Sequence, residues 1–293
     1  MEIRKLQKKL LREELRRRRK SSSRYRLLVT GAIVGLILIF TGAAYYLYNF
    51  DKLLERDFQV AEDLVEQGDY QAATEAFRTI QSRHPSFHLA PQALFQAAEV
   101  LNLYQKSYSE ALLAYLLVEK DYPDSEQARR AQRQVAEIYK NRLRDYGEAI
   151  VAYQKLLDGG VADGDRVHYE IADAYFRLNN FEQARIEFES LLKSWPESPL
   201  VPEVRYRIAT VYALDGDLRG AEGAYRAIIR DWPNDPFALE ARLGLAGVLE
   251  QQEQLKAALA ILEDLRGIYP NPEVLERRLE QIRQRIRKKQ DAL

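Results

Sequence analysis

Residues 166–196 read RVHYEIADAYFRLNNFEQARIEFESLLKSWP, and this stretch decides the fold. Tyr169, Ala172, Tyr175 and Phe176 recur at helical spacing, so its first half reads as a helix with one apolar face. Asn179-Asn180 marks a turn. Phe181, Ala184, Phe188 and Leu191 then supply the apolar stripe of a second helix. Trp195-Pro196 stops it, because proline cannot continue a helix and restricts the residue before it. The unit is helix, turn, helix, proline.

The unit is copied. Ala73, Ala111, Ala149, Ala184, Ala221 and Ala258 follow one another at intervals of 38, 38, 35, 37 and 37 residues. Ala61, Ala98, Ala136, Ala172, Ala209 and Ala246 keep step twelve or thirteen residues earlier. Two small residues locked in register over this period signal a solenoid of one supersecondary unit. An aromatic or leucine follows each turn (Tyr70, Tyr108, Tyr146, Phe181, Leu218, Leu255), and a large residue stands four after the second alanine (Phe77, Tyr115, Tyr153, Phe188, Tyr225, Leu262). Pro85, Pro123, Pro196, Pro233 and Pro270 close the copies; the third has Gly159-Gly160 instead, which predicts a looser joint between copies three and four. The alanines let the two helices of a unit approach, and stacking buries a face that one unit cannot bury alone. Leu275, Leu279, Ile282 and Ile286 line one face of a capping helix within residues 271–290.

This pattern resembles the tetratricopeptide repeat family: a first-helix alanine, a turn such as Gly68-Asp69-Tyr70, a second-helix alanine, a large residue four later, and the closing proline. The resemblance covers residues 54–270 and implies an all-α, right-handed solenoid of about six helical hairpins. The copies are slightly longer than the family's, and the family's early first-helix tryptophan is absent; Trp195 and Trp232 instead precede closing prolines. The phrases at 120–125 (KDYPDS) and 195–199 (WPESP) are similar to the subgroup in bacterial envelope proteins, such as outer-membrane assembly lipoproteins and the periplasmic partner of the Tol system. An N-terminal anchor in front of such repeats is similar to ancillary subunits of the secretion translocon.

That anchor is read from charge and length. The chain's net charge of zero hides a split: residues 1–26 hold twelve basic and three acidic residues, while the other 32 basic and 41 acidic residues leave −9. Residues 27–50 carry no charge. As a helix they reach about 36 Å, enough to cross a hydrocarbon core of about 30 Å. Tyr45, Tyr46 and Tyr48 at the far end and Tyr25 at the near end suit the lipid–water interface. The positive-inside rule puts the arm in the cytoplasm, the span in the inner membrane and residues 51–293 in the periplasm or outside. A signal peptide cleaved near Thr41-Gly42-Ala43 is the competing reading; the apolar run continues past that site. The chain therefore divides into a basic arm (1–26), a transmembrane helix (27–50), six repeats within 51–270 (54–88, 89–126, 127–164, 165–200, 201–237 and 238–270), and a capping helix and tail (271–293). Absence of cysteine excludes a disulfide, a thiol nucleophile and a thiolate zinc site.

The family resemblance implies that first helices line a concave face and that the residue after each first-helix alanine points into it. Glu62, Glu99, Glu137 and Asp173 then form an acidic row, with Phe95, Tyr169 and Tyr206 beside it. Such a row suits a peptide carrying basic and apolar side chains; the plainer account is a solvated face that keeps the solenoid soluble. Gly31, Gly35 and Gly42 share a face of the span, a small-residue pattern that lets two membrane helices meet in a homodimer. The basic arm, with Ile3, Leu6, Leu10 and Leu15, serves as a topology determinant and a contact for anionic lipid, not for nucleic acid. His84 and His88 are separated by Pro85, His168 reads as packing, and no phosphate loop, zinc-protease helix or nucleophile elbow occurs. The reading is a membrane-anchored, non-enzymatic scaffold for other envelope proteins, with no cofactor or metal. Alternatives are a self-associating membrane organiser or a chaperone-like accessory for exported chains.

Overall fold

The computed structural model describes the backbone of residues 2–291 and the side chains of that range except those of residues 19–25 and 47. Tyr25, the basic side chains of Arg19, Lys20 and Arg24, and tail residues 292–293 lie outside the described residues. The described chain is all helical and forms two compact units, residues 1–100 and 101–293.

In the first unit α1 (Glu2–Glu66) runs 65 residues without interruption, through both of the boundaries drawn at 26 and 50. No proline occurs in it, and the Thr30 and Thr41 hydroxyls donate back to the carbonyls of Arg26 (2.8 Å) and Ile37 (2.9 Å), so their polar groups are satisfied within the helix. Its C-terminal part pairs with α2 (Tyr70–Arg83), the Phe58 and Phe77 rings meeting edge-on at 5.3 Å. Then α3 (Ala90–Leu103) begins.

The second unit continues the hairpins. It holds α4 (Tyr108–Asp121), α5 (Glu126–Glu137) with a π-helical extension (Ile138–Leu143), α6 (Tyr146–Asp158), α7 (Gly164–Arg177) and α8 (Phe181–Ser194). After them come α9 (Val201–Leu214), α10 (Leu218–Asp231), α11 (Pro236–Gln251), α12 (Leu255–Asp264) and α13 (Pro272–Asp291). From α4 onward each helix packs on the next. The twelve alanines that set the register are all fully buried, because any larger side chain would force the helices of a hairpin apart. The large residues four later, Phe77 to Leu262, are buried too.

One residue in each hairpin turn takes a left-handed backbone: Gly68, Lys106, Arg144, Asn179, Gly216 and Glu253, with φ between 56° and 85°. The chain then re-enters a helix, and Asp69, Asp145, Asn180 and Asp217 cap it by accepting the backbone N–H three residues on. In copies one, four and six the turn closes by a bond five residues back, as from the Asn180 N–H to the Tyr175 carbonyl (3.0 Å). In copies two and three it closes six back, Ser107 to Leu101 (2.9 Å) and Asp145 to Tyr139 (2.8 Å). These are the copies whose alanines stand thirteen apart rather than twelve. In copy three the extra residue is absorbed by the π-helical turn.

The joint between copies three and four is closely packed rather than loose. Leu156, Val167 and Ile171 share one core cluster with Tyr153, and Arg133 donates to Asp163 at 2.7 Å across the connection. Gly160 makes the turn at φ 73°, so glycine does the work of the missing proline. Past the last hairpin, α13 seals the core with Leu275, Leu279 and Ile282 buried and Ile286 packed at the margin.

Candidate functional site

The residues singled out on the first helices do not share one environment. In the first unit Glu62 is exposed, Glu99 is half-buried and Phe95 is buried, its ring belonging to the core. In the second unit Glu137 is half-buried and accepts from the Asn141 amide at 2.5 Å.

Asp173 is 3% exposed and sits inside an ion cluster. Its Oδ2 lies 2.6 Å from the Lys140 ammonium and accepts from Arg177 Nε at 2.8 Å. Lys140 is itself buried and also pairs with Glu170. Burial works against the charged form of Asp173, but the hydrogen bonds and charges of Lys140 and Arg177 prevail and hold its pKa below the ordinary carboxylate value. Lys140 projects from the π-helical turn of copy three, while its two acids come from α7 of copy four. The cluster therefore ties neighbouring repeats together.

Tyr169 is engaged in the same way one copy on. Its hydroxyl donates to Glu203 at 2.5 Å and accepts from Arg207 Nε at 3.0 Å. Burial, and then the bond to Glu203, push the phenol pKa up. Tyr206 lies between the rings of Tyr225 (6.0 Å) and Phe237 (5.6 Å), and burial raises its pKa. At the last repeat, Gly247 leaves room for Arg278 of α13, which donates to Glu250 at 2.9 Å.

So in the second unit the first-helix face is mixed in charge. The acids from the sequence pattern are accompanied by Lys140, Arg177 and Arg207, none of which the pattern singled out. Two of the pairings were available as i, i+4 spacings, Asp173 with Arg177 and Glu203 with Arg207. Lys140 was not, because its position depends on the π-helical turn. Beneath this face Tyr153 is buried; burial, then the nearby Glu137 and Glu170, raise its hydroxyl's pKa. Among the described residues no group of three or more His, Asp or Glu is placed to hold a metal.

His168 is buried, bonded to Glu187 at 2.8 Å and edge-on to Trp195 at 5.6 Å. On the uncharged part of α1, a Cβ at Gly31, Gly35 or Gly42 would meet nothing within 4 Å, so this face of the helix is open.

A model of the tetratricopeptide repeat matches residues 59–126, 141–199, 169–236 and 206–271. The chain belongs to the tetratricopeptide repeat family. The last three matches overlap, and their ends at 199, 236 and 271 are spaced at the hairpin period. Among solved structures, a tetratricopeptide repeat protein from Parabacteroides merdae is 19% identical, with a TM-score of 0.54 over 78% of this chain and 86% of that one. PilW, described as a widely conserved type IV pilus biogenesis factor, is 18% identical, with a TM-score of 0.50 over 78% of this chain and 98% of its own. At these identities the likeness to this tetratricopeptide repeat protein is one of fold. A search of curated protein sequences returns no significant match.

Proposed function

We propose that this protein is a membrane-anchored scaffold whose repeats bind a segment of another envelope protein, in secretion, outer-membrane or cell-wall assembly. The observation that carries this is α1. None of its most apolar stretch is buried, and the same helix runs on into the buried Leu54, Phe58 and Ala61 of the first repeat. An exposed apolar helix of this length suits a bilayer, and a repeat helix growing from it places a protein-binding domain beside that bilayer. The arm's basic residues favour a cytoplasmic N-terminus and contact with anionic lipid, which leaves the repeats on the periplasmic side of the inner membrane. PilW, a type IV pilus biogenesis factor with the same fold, gives a precedent for repeats of this type in pilus biogenesis.

The binding surface in this reading is the first-helix face, and its mixed charge suits a partner segment of mixed charge with apolar anchors. The test is photo-crosslinking in living cells with probes at Glu62 and Asn141, both exposed on first-helix turns. Asp173 is unsuitable, since a probe there would break the ion cluster. One discrete crosslinked envelope protein is the expected result. A broad smear of exported chains would favour a chaperone-like accessory. Crosslinks only from a second-helix position such as Val151 would refute the surface. A self-associating organiser is the second reading, favoured by the open glycine face of the span. It fails if the full chain stays monomeric in membranes and Gly35→Leu changes nothing.

A further inference from the structure

We propose that the first repeat rests on the membrane, with the α2–α3 connection, residues 84–89, seated in the lipid headgroup layer on the far side of the span. This deepens the reading of α1 as a membrane-spanning helix and rests on it. The argument is one of height along a continuous rod. A hydrocarbon core of about 30 Å takes up about 20 helical residues, so a core entered near Leu27 is left near residue 47. Phe50, the last residue of the uncharged run, then stands about 5 Å beyond it, at headgroup level.

The ring contacts carry that height over to α2. The chain folds back after Glu66, so α2 runs down toward the span. Phe58 faces Phe77, and two turns lower Phe50 meets His84 edge-on at 5.0 Å. His84 caps the C-terminus of α2, and therefore the connection starts at the level of Phe50. No linker separates the span from the repeat: Leu54, one turn past Phe50, is already 4% exposed and part of the core. The connection is itself shaped, with the Phe87 N–H donating to the His84 carbonyl (3.0 Å) and the Ala90 N–H to the Phe87 carbonyl (2.9 Å).

The chemistry of this rim fits lipid headgroups. Phe87 turns inward and is buried, while Ser86, the exposed Arg83 and His88, whose ring lies 3.8 Å from the Glu55 carboxylate, face outward. On α1, Tyr46 stacks on Phe50 at 5.9 Å, and the Lys52 ammonium lies 4.3 Å above the Tyr48 ring. Aromatic rings next to cationic heads are the side chains that settle where acyl chains meet phosphates. The opposite end of the hairpin, at Gln67, stands about 25 Å higher, clear of the lipid.

The chain has no cysteine, so single labelling sites can be placed in the full-length protein. Spin labels at Ile37→Cys, Ser86→Cys and Gln67→Cys, in vesicles of phosphatidylethanolamine and phosphatidylglycerol, report depth through collisions with oxygen in lipid and with a nickel complex in water. The expected result is a deep Ile37 label, a Ser86 label at phosphate depth and a Gln67 label in water. A deep Ile37 label with Ser86 as open to nickel as Gln67 overturns the proposal and leaves the span intact. An Ile37 label as open to nickel as Gln67 overturns the span, and the proposal with it.

Discussion

Six residues take a left-handed backbone at the same place in six hairpins, and only two of them, Gly68 and Gly216, are glycine. For any other residue except asparagine this backbone is strained by about 1–2 kcal/mol, because Cβ crowds the following carbonyl. Glycine is a looser unfolded chain, which offsets part of the relief. Lys106→Gly and Arg144→Gly should therefore each stabilise the protein by about 0.5–1 kcal/mol, read as a higher denaturant midpoint at unchanged slope. Glu253→Gly should gain less, since the Glu253 carboxylate bonds to Arg285 and Lys289. Asp173 gives the opposite case. Its folded pKa lies below the unfolded value of about 3.9, so its stabilising contribution is complete above that value and fades as pH falls through the lower folded pKa. Asp173→Asn should remove this acid-side loss and destabilise the protein at neutral pH by about 3 kcal/mol, because Lys140 keeps only Glu170 in a buried setting. Thermal melts from pH 2 to 7 on both proteins check the pair. The acid at 173 was readable from its place after Ala172. Its engagement was not, because Lys140 approaches from a different repeat.

At the scale of the element, the alanine spacing carried more than the repeat itself. Copies two and three have thirteen residues where the others have twelve, and both widen the hairpin turn to a six-residue closure. In copy three the surplus lies in the π-helical turn, where Asn141 is exposed. Deleting Asn141 should convert this turn to α-helix and leave unfolding cooperative, but with a lower melting temperature, because Lys140 is held against Asp173 and Glu170 by that turn. Deleting Ile208 from the middle of α9 should instead abolish the cooperative transition, since it turns every later side chain of that helix, the buried Ala209 and Val211 among them, by about 100° away from its core. Circular dichroism melts separate the two. The boundary at residue 50 shows the reverse limit. Charge and hydropathy change sharply there, but helix propensity does not, and with neither proline nor a cap at the change the backbone continues straight through.

At the scale of the whole molecule, the repeats depend on sealed ends. A stack of hairpins leaves an apolar face at its last copy, and α13 covers it with Leu275, Leu279 and Ile282 while its outer face carries the charge. Ending the chain after Pro270 uncovers that face. At roughly 1.5–3 kcal/mol per buried side chain, the loss is on the order of 5 kcal/mol, enough to unfold the last repeat. The expected readout is increased binding of a hydrophobic dye and a lower melting temperature. The sealing leucines and isoleucines were readable at helical spacing. The Arg278 contact with Gly247 and Glu250, which fixes where α13 docks, was not.

Two kinds of information divide this protein. The sequence alone determined the hairpin, its copy number, the register of the alanines, and the uncharged run with its lopsided charges, because these depend on periodicity, and periodicity is a property of the chain. Only the tertiary structure decided which acids of the first helices are free and which are held, that α1 has no joint between apolar segment and repeat, and that Phe50 meets His84. Those facts depend on which side chains meet across separate helices and on the local winding of the backbone, and neither is written in any one stretch of residues.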